Sequence, residues 1–202
     1  MIGQGLSLMK MAVLLVTLLG TLQACSGLPR IVVLHDPLTP QEHVTLGESY
    51  QAQGNTELAV REFQAALRLQ RDFAPALVAL GNRSFEAGTL QEAEDYYSRA
   101  LDAVPGHPAA SNNLAMVYLS RGGRLDEAER LAKSALAQGG ALRPYILDTL
   151  AKVYMRQERY QEARTALEEA ETIAPLENKL LHERLAQSRQ ELAATRPAST
   201  TP

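Results

Sequence analysis

The sequence is short of several residue types, and each shortage excludes a class of protein. It has a single cysteine, Cys25, so no disulfide can form within the chain. Its four histidines are scattered, without the paired spacing of a metal site. The formal net charge of −3 offers no basic excess for nucleic acid or for an anionic membrane surface. No Gly-rich phosphate loop and no nucleophile elbow occur. We therefore predict a protein that is not an enzyme and uses no metal, cofactor or nucleic acid.

The apolar run over residues 11–22 is too short to stay in a membrane as a spanning helix, which needs roughly 20 residues. Lys10 precedes the run, and Leu22-Gln23-Ala24-Cys25 ends it. A positive residue, a short apolar stretch and a small residue before the cut are typical of a secretory signal. We predict a signal peptide over residues 1–24, and Met9 is an alternative start to Met1.

The segment that ends at Cys25 resembles the lipobox of bacterial lipoproteins, in which the cysteine is acylated and becomes the first residue. Ser26, rather than Asp, follows it. In enteric-type lipoproteins this resemblance implies the outer membrane, with the protein on its periplasmic face. Several acyl chains, such as palmitate, anchor stably where a single chain does not. The alternative interpretation is an ordinary signal peptide with an unmodified cysteine.

A period of 34 residues runs through the middle of the chain. A large apolar residue followed by a small one recurs at intervals of 34, 34 and 36, in Leu46-Gly47, Leu80-Gly81, Leu114-Ala115 and Leu150-Ala151. A second set of small residues recurs at 34, 35 and 35, at Ala59, Ala93, Ala128 and Ala163. This period and pattern are the tetratricopeptide signature. The chain is therefore identified as a member of the tetratricopeptide repeat (TPR) family, which implies an all-α superhelical solenoid.

We predict four helix-turn-helix repeats, at 40–73, 74–107, 108–142 and 144–177. A lipidated N-terminus and tether precede them at 25–39. A capping helix follows at 178–194, because the terminal units of a solenoid need a polar outer face. Its apolar residues Leu181, Leu185 and Leu192 lie on one face. The Pro/Ser/Thr-rich tail, 195–202, is predicted to be disordered.

Local signals mark the helix ends. Thr39 and Glu42 are placed to form a capping box around the first helix, and Thr89 and Glu92 to form another. Turns are expected at Gly54, Gly88 and Gly122. Where the two helices of each repeat approach closely, we expect the small residues Gly47, Gly81, Ala115 and Ala151.

Four positions depart from the family pattern. Arg71 and Gly140 stand where the proline at the end of a repeat is expected. Ser84 stands where the first helix of a repeat usually has an aromatic residue, and neighbouring Phe85 compensates in part. Ala132 stands where the third repeat usually has a bulky residue. We expect looser packing around the third repeat.

The resemblance implies that the first helix of each repeat lines a concave groove. Groove-facing residues are then Gln41, Val44, Glu48, Gln51, Pro75, Val78, Asn82, Phe85, Ala109, Asn112, Met116, Leu119, Tyr145, Asp148, Lys152 and Met155. For Val44, Val78 and Leu119, packing between repeats is an equal alternative. The candidate site for a protein or peptide partner comprises Asn82, Phe85, Asn112, Met116, Tyr145 and Lys152.

The chemistry of these residues favours an extended peptide or a helix end, because an asparagine can both donate and accept hydrogen bonds. Apolar Met and Phe side chains offer adaptable surface. Lys152 is the only basic residue in the set, whereas TPR domains that clamp a C-terminal carboxylate use several. We therefore predict that the groove is not a carboxylate clamp.

Two functions are compatible with this sequence. The first is a lipid-anchored interaction scaffold that assists assembly or secretion, similar to the TPR lipoproteins that escort outer-membrane secretin pores of type IV pili. The second is a non-catalytic accessory that presents substrate to a C39-type cysteine peptidase. The second rests on residues 36–43, which resemble the entry segment of repeat proteins associated with such peptidases.

Overall fold

Helix-period apolar residues and regularly spaced turns give this chain helical hairpins. The structure is a computed structural model, and it describes residues 36–195. Every regular element in that range is helical, as the sequence predicted. The α-helices are α1 (Pro40–Ala52), α2 (Thr56–Leu69), α3 (Ala74–Glu86), α4 (Leu90–Ala103), α5 (Pro108–Arg121), α6 (Leu125–Ala137), α7 (Arg143–Arg156), α8 (Tyr160–Ile173) and α9 (Lys179–Thr195). A 3₁₀ turn, Gly140–Leu142, joins α6 to α7.

The helices pair in chain order, α1 with α2 through α7 with α8, and each pair packs on the next. The first helices of successive pairs also lie side by side, and α9 continues that row beside α7. We call the surface formed by α1, α3, α5, α7 and α9 the A-helix face. The repeats belong to a compact unit that begins at Leu38. None of the helices in residues 36–195 has the length and apolar character needed to cross a membrane.

The predicted capping box at Thr39 is confirmed. The Glu42 carboxylate accepts a 2.7 Å bond from the Thr39 backbone, and the Thr39 hydroxyl accepts from the Glu42 backbone at 3.2 Å. That backbone hydrogen bond lowers the pKa of Glu42. The box predicted at Thr89 is wrong, because no capping bond forms there. The Thr89 hydroxyl donates instead to the Ser84 carbonyl, 3.0 Å away.

The turns inside the first three repeats depend on glycine. Gly54, Gly88 and Gly122 have φ values of 78°, 77° and 71°, in the left-handed region that favours glycine. The fourth repeat turns at Glu158, which adopts φ 62° without being glycine. The turn positions predicted for the first three repeats are therefore confirmed.

The close approach of paired helices explains the small residues. A Cβ atom on Gly81 would lie 2.5 Å from Cε1 of Tyr97, and one on Gly47 would overlap the ring of Phe63. Both rings are fully buried, at 1% and 0% exposure, so neither can swing aside. The third and fourth repeats have alanine at the glycine position and a smaller partner, Ala132 or Leu167, all of them buried.

Candidate functional site

The A-helix face holds the candidate site, and two cavities lie along it. The first has a volume of about 180 Å³ and lies between α3 and α5. The second has a volume of about 350 Å³ and lies between α7 and α9. Both are lined by polar and apolar side chains together, so each offers hydrogen-bonding groups beside apolar surface.

An amide network supports the first cavity. Oδ1 of Asn82 accepts hydrogen bonds from the Tyr97 hydroxyl at 2.8 Å and from Nδ2 of Asn113 at 2.7 Å. Oδ1 of Asn113 in turn accepts from Nδ2 of Asn112 at 3.2 Å. Burial raises the pKa of the Tyr97 hydroxyl, so it remains a neutral donor to Asn82. The network holds the amide of Asn82 at a fixed orientation on the cavity wall.

Apolar side chains complete this cavity. Phe85 and Met116, both half-buried, line it together with Asn82, Asn113 and the carboxylate of Glu86. Three residues predicted from the sequence, Asn82, Phe85 and Met116, therefore meet at one place.

Asn112 lies next to this cavity and not in its lining. It is only 7% exposed, and its Oδ1 is buried without a hydrogen-bond partner among the described residues. Its Nδ2 lies 4.0 Å from the sulfur of Met116. Asn112 is therefore buried, whereas the sequence predicted that it contacts a partner in the groove.

Helix α9 occupies the C-terminal end of the A-helix face. Asp148 on α7 is fully buried, and its carboxylate accepts from Ser188 Oγ at 2.5 Å, Arg184 Nε at 2.6 Å and Lys152 Nζ at 2.9 Å. Arg184 also reaches the sulfur of Met116 at 3.9 Å. Lys152 is thus paired with a buried carboxylate, and its charge is already compensated within the protein.

Tyr145 lines the second cavity, beside Leu180, Glu183 and Arg184. Its hydroxyl accepts a 2.7 Å hydrogen bond from Nδ2 of Asn178, which precedes α9. Leu180 is 78% exposed, so it offers an apolar side chain directly to the solvent.

Sequence reasoning missed Asn113, Arg184 and Ser188 as parts of this surface. A signal for the last two was present, because Leu185-Ala186 repeats the dipeptide Leu150-Ala151 after 35 residues. That recurrence indicates a fifth first helix, whose polar residues face α7. Leu181, Leu185 and Leu192 are buried on one face of α9, as expected. In residues 36–195, no group of His, Cys, Asp and Glu is arranged to hold a metal ion.

The fold and this face define a helical-repeat interaction scaffold. Tetratricopeptide repeat profiles match residues 44–108, 84–145 and 144–176. Together these matches cover well over half of the chain, and the chain belongs to the tetratricopeptide repeat family. Cys25 and the lipobox-like segment lie outside the residues that the structure describes.

Individual relatives cover the chain only in part. The Photosystem I assembly protein Ycf3 of Rippkaea orientalis is 33% identical over 98 residues, which is 44% of this chain and 57% of that protein. Two other curated relatives, tetratricopeptide repeat protein 14 of the mouse and the human protein O-mannosyl-transferase TMTC1, share only 11% and 16% of their length with it.

Two solved structures have the same architecture. PilF of Pseudomonas aeruginosa superposes with a TM-score of 0.60 at 22% identity, over 79% of this chain and 74% of that one. The first TPR domain of Spaghetti (RPAP3), solved with the HSP90 peptide SRMEEVD, has a TM-score of 0.50 at 25% identity. That match covers 59% of this chain and 95% of the other.

Proposed function

We propose that this protein is a lipid-anchored, non-catalytic scaffold of the bacterial outer membrane, where it holds an extended segment of a partner protein during assembly or secretion. The observation that carries the binding part is the first cavity of the A-helix face, where a fixed amide lies beside two apolar side chains. An amide suits the main chain of an extended segment, and the apolar pair suits one of its side chains.

The charges of the face favour a particular kind of segment. Lys152 on α7 and Arg184 on α9 are both paired with buried Asp148. The carboxylates of Glu86 and Glu183 line the two cavities. A segment with apolar and neutral or basic side chains therefore fits better than an acidic C-terminus, in contrast to the acidic peptide bound by the RPAP3 domain.

Anchoring and cellular role rest on other observations. The segment that ends at Cys25 resembles a lipobox, and the repeats resemble TPR lipoproteins that escort outer-membrane pores. The similarity to the Photosystem I assembly protein Ycf3 supports a role in assembly.

The groove is tested by a photo-reactive benzoylphenylalanine at Phe85 in the full chain, in membranes, with mass spectrometry of the captured protein. The matched control has the same group at Gln161, exposed on α8. We expect one partner to cross-link at Phe85 and not at Gln161, and Asn82→Ala to lower the yield. Equal capture at the two positions would place the partner site elsewhere.

The anchor is tested separately by Cys25→Ala. We expect the unchanged chain in the membrane fraction, with an acyl mass on the Cys25 peptide, and the variant outside that lipidated pool. An unmodified Cys25 in a chain of wild-type sequence would contradict the anchor and leave the groove untouched.

A further inference from the structure

One of the four repeats lacks the tyrosine of its first helix. Tyr50, Tyr118 and Tyr154 occupy equivalent positions in α1, α5 and α7, and Ser84 takes that position in α3. Ser84 is buried, at 6% exposure, and its small side chain leaves the volume of an aromatic ring unfilled.

A cavity of about 280 Å³ lies at this position, and we call it the Ser84 cavity. By comparison, a cavity of about 150 Å³ inside another protein is large enough to hold benzene. The Ser84 cavity involves α2, α3 and α4, and its lining includes Val60, Gln64, Leu80, Ser84, Thr89 and Tyr96. Gln64 and Thr89 are exposed, so the cavity reaches the solvent.

The fourth repeat shows what the same position holds when the tyrosine is present. The Tyr154 ring lies 4.3 Å from Cζ of Arg159 and 5.9 Å from Nζ of Lys133. By repeat spacing, Thr89 corresponds to Arg159 and Gln64 corresponds to Lys133. The residues that surround a tyrosine in the fourth repeat therefore have counterparts that surround a cavity in the second.

We propose that the Ser84 cavity binds an aromatic side chain, phenylalanine or tyrosine, presented by a partner protein. Val60 and Leu80 form apolar walls, and the half-buried ring of Tyr96 offers an edge or a face to a second ring. Gln64 at the rim can bond a phenolic hydroxyl. This site is separate from the A-helix face and extends the proposed function to a second contact.

The composition of these residues favours a partner protein as the source of the ring. Residues 1–35 and 196–202 contain no Phe, Tyr or Trp, so neither terminal segment can supply the ring. Within residues 36–195, every Phe and Tyr is buried or half-buried, so a second copy of the chain presents no exposed ring either.

The test uses p-cresol, which is the tyrosine side chain without its backbone, titrated into the full chain and followed by NMR. We expect saturable shifts at Val60, Gln64 and Leu80, with a dissociation constant in the millimolar range, on the order expected for so small a ligand. Ser84→Tyr fills the cavity, so it should abolish these shifts and raise the melting temperature. Ser49→Tyr, exposed on α1, is the matched control and should leave the shifts unchanged.

A second variant keeps the test decisive if Ser84→Tyr fails to fold. Ala87→Arg places a long side chain at the exposed rim and should weaken p-cresol binding at least tenfold. Acetyl-Gly-Phe-Gly-amide should bind at least fivefold more tightly than its leucine counterpart. Shifts that persist in the blocked variants, shifts confined to Phe85 and Met116, or equal binding of the two peptides would overturn the proposal. Dimerisation of the wild-type chain that Ser84→Tyr abolishes would make a second copy the occupant and would overturn it as well.

Discussion

The first two repeats and the last two have the same backbone and different means of holding it together. In the first two, glycine on the first helix faces a fully buried ring, Gly47 under Phe63 and Gly81 under Tyr97. In the last two, alanine takes the glycine position, and the facing residue is Ala132 or Leu167. The residues at these crossings are buried in all four repeats, although the third repeat has two alanines where the second has a glycine and a tyrosine.

The second difference is a pair of arginines, one at the turn of each of the last two repeats, that each contact a tyrosine ring and a carboxylate of the preceding repeat; we call these contacts the arginine ladder. Arg124 lies over the Tyr118 ring at 4.0 Å and pairs with Glu94 of the preceding repeat at 2.8 Å. Arg159 repeats the arrangement with Tyr154, at 4.3 Å, and Glu129, at 2.6 Å.

The first two repeats have Asn55 and Thr89 at these arginine positions. The second repeat has also lost its tyrosine, and the Ser84 cavity results. The looser packing expected around the third repeat stays a prediction, since Ala132 there is fully buried, whereas the cavity lies in the second repeat. Repeats that share a fold can thus differ in which surface they leave open.

The largest expected effect is the loss of the buried carboxylate that holds α9. Asp148→Ala leaves Arg184, Lys152 and Ser188 without their common acceptor, and we expect it to cost about 2–4 kcal/mol. Because Lys152 and Arg184 are partly exposed, this free-energy cost is expected to be smaller than for a fully buried ion pair. Urea unfolding measures the loss, and hydrogen exchange should show α9 opening first. Glu183→Ala, an exposed carboxylate on α9, is the control and should change little. Unchanged protection of α9 would contradict this account.

The glycine–ring pairs give the next effect. Gly47→Ala should destabilise the protein by about 1–3 kcal/mol, because its Cβ meets the immobile Phe63 ring. Adding Phe63→Leu builds the pair found in the fourth repeat, and the two changes together should cost less than their sum by about 1 kcal/mol. The control is Ala115→Gly, which should lose only about 0.5–1 kcal/mol of helix propensity. Strict additivity in denaturant unfolding would mean that the crossing does not couple the two positions.

The arginine ladder should have a smaller effect. Arg159→Gln removes one ring contact and the ion pairs with Glu129 and Glu162. We expect a modest drop in melting temperature at low salt that shrinks at high salt, because these groups are near the solvent. Arg61→Gln, on an exposed part of α2, should leave the melting temperature unchanged at either salt concentration. An equal drop in melting temperature at low and high salt would mean that Arg159 stabilises the protein through packing rather than through charge.

The smallest effect appears only at high pH. Burial raises the pKa of Tyr118 to about 12, with the nearby Glu94 carboxylate adding to the shift. An unfolded tyrosine titrates near pH 10, so the unfolded chain loses the proton first. The contribution of Tyr118 to the free energy of unfolding is therefore fully present below about pH 10, and it is lost as the pH rises from there toward 12. In the Tyr118→Phe variant, the free energy of unfolding should fall less steeply with pH over that window. Tyrosinate absorbance reports the ionisation over the same window. An equally steep curve in the variant would assign the loss to other groups.

Much of the fold could be predicted because its signals are local or periodic. The recurrence of Leu80-Gly81 and its equivalents is periodic, and the cap at Thr39 and the turn at Gly88 depend on residues a few positions apart. The failed box at Thr89 shows the limit of such signals. The Thr89 hydroxyl donates to the Ser84 carbonyl and to the Glu92 carboxylate, and it accepts no bond from the backbone of the first turn of α4.

The candidate site was predictable in part. Asn82, Phe85 and Met116 line one cavity, as the repeat positions implied, and Tyr145 lines the next. Asn112 and Lys152 differ because spacing does not reveal burial. Asn112 is only 7% exposed. Lys152 pairs with Asp148 one helical turn away, and Asp148 is fully buried and also binds Arg184, 36 residues from it in sequence.

The period of 34 residues by itself determined the helical hairpins, their number and the side of each helix that is buried, since one-dimensional repetition makes every unit face its neighbour in the same way. Tertiary structure alone decided which polar side chains on the A-helix face remain accessible and which are buried or hydrogen-bonded within the protein. It also decided that the serine in the second repeat leaves a cavity rather than a collapsed wall. Both outcomes depend on distances between helices, because burial and hydrogen bonding belong to pairs of groups that only the packed solenoid brings together.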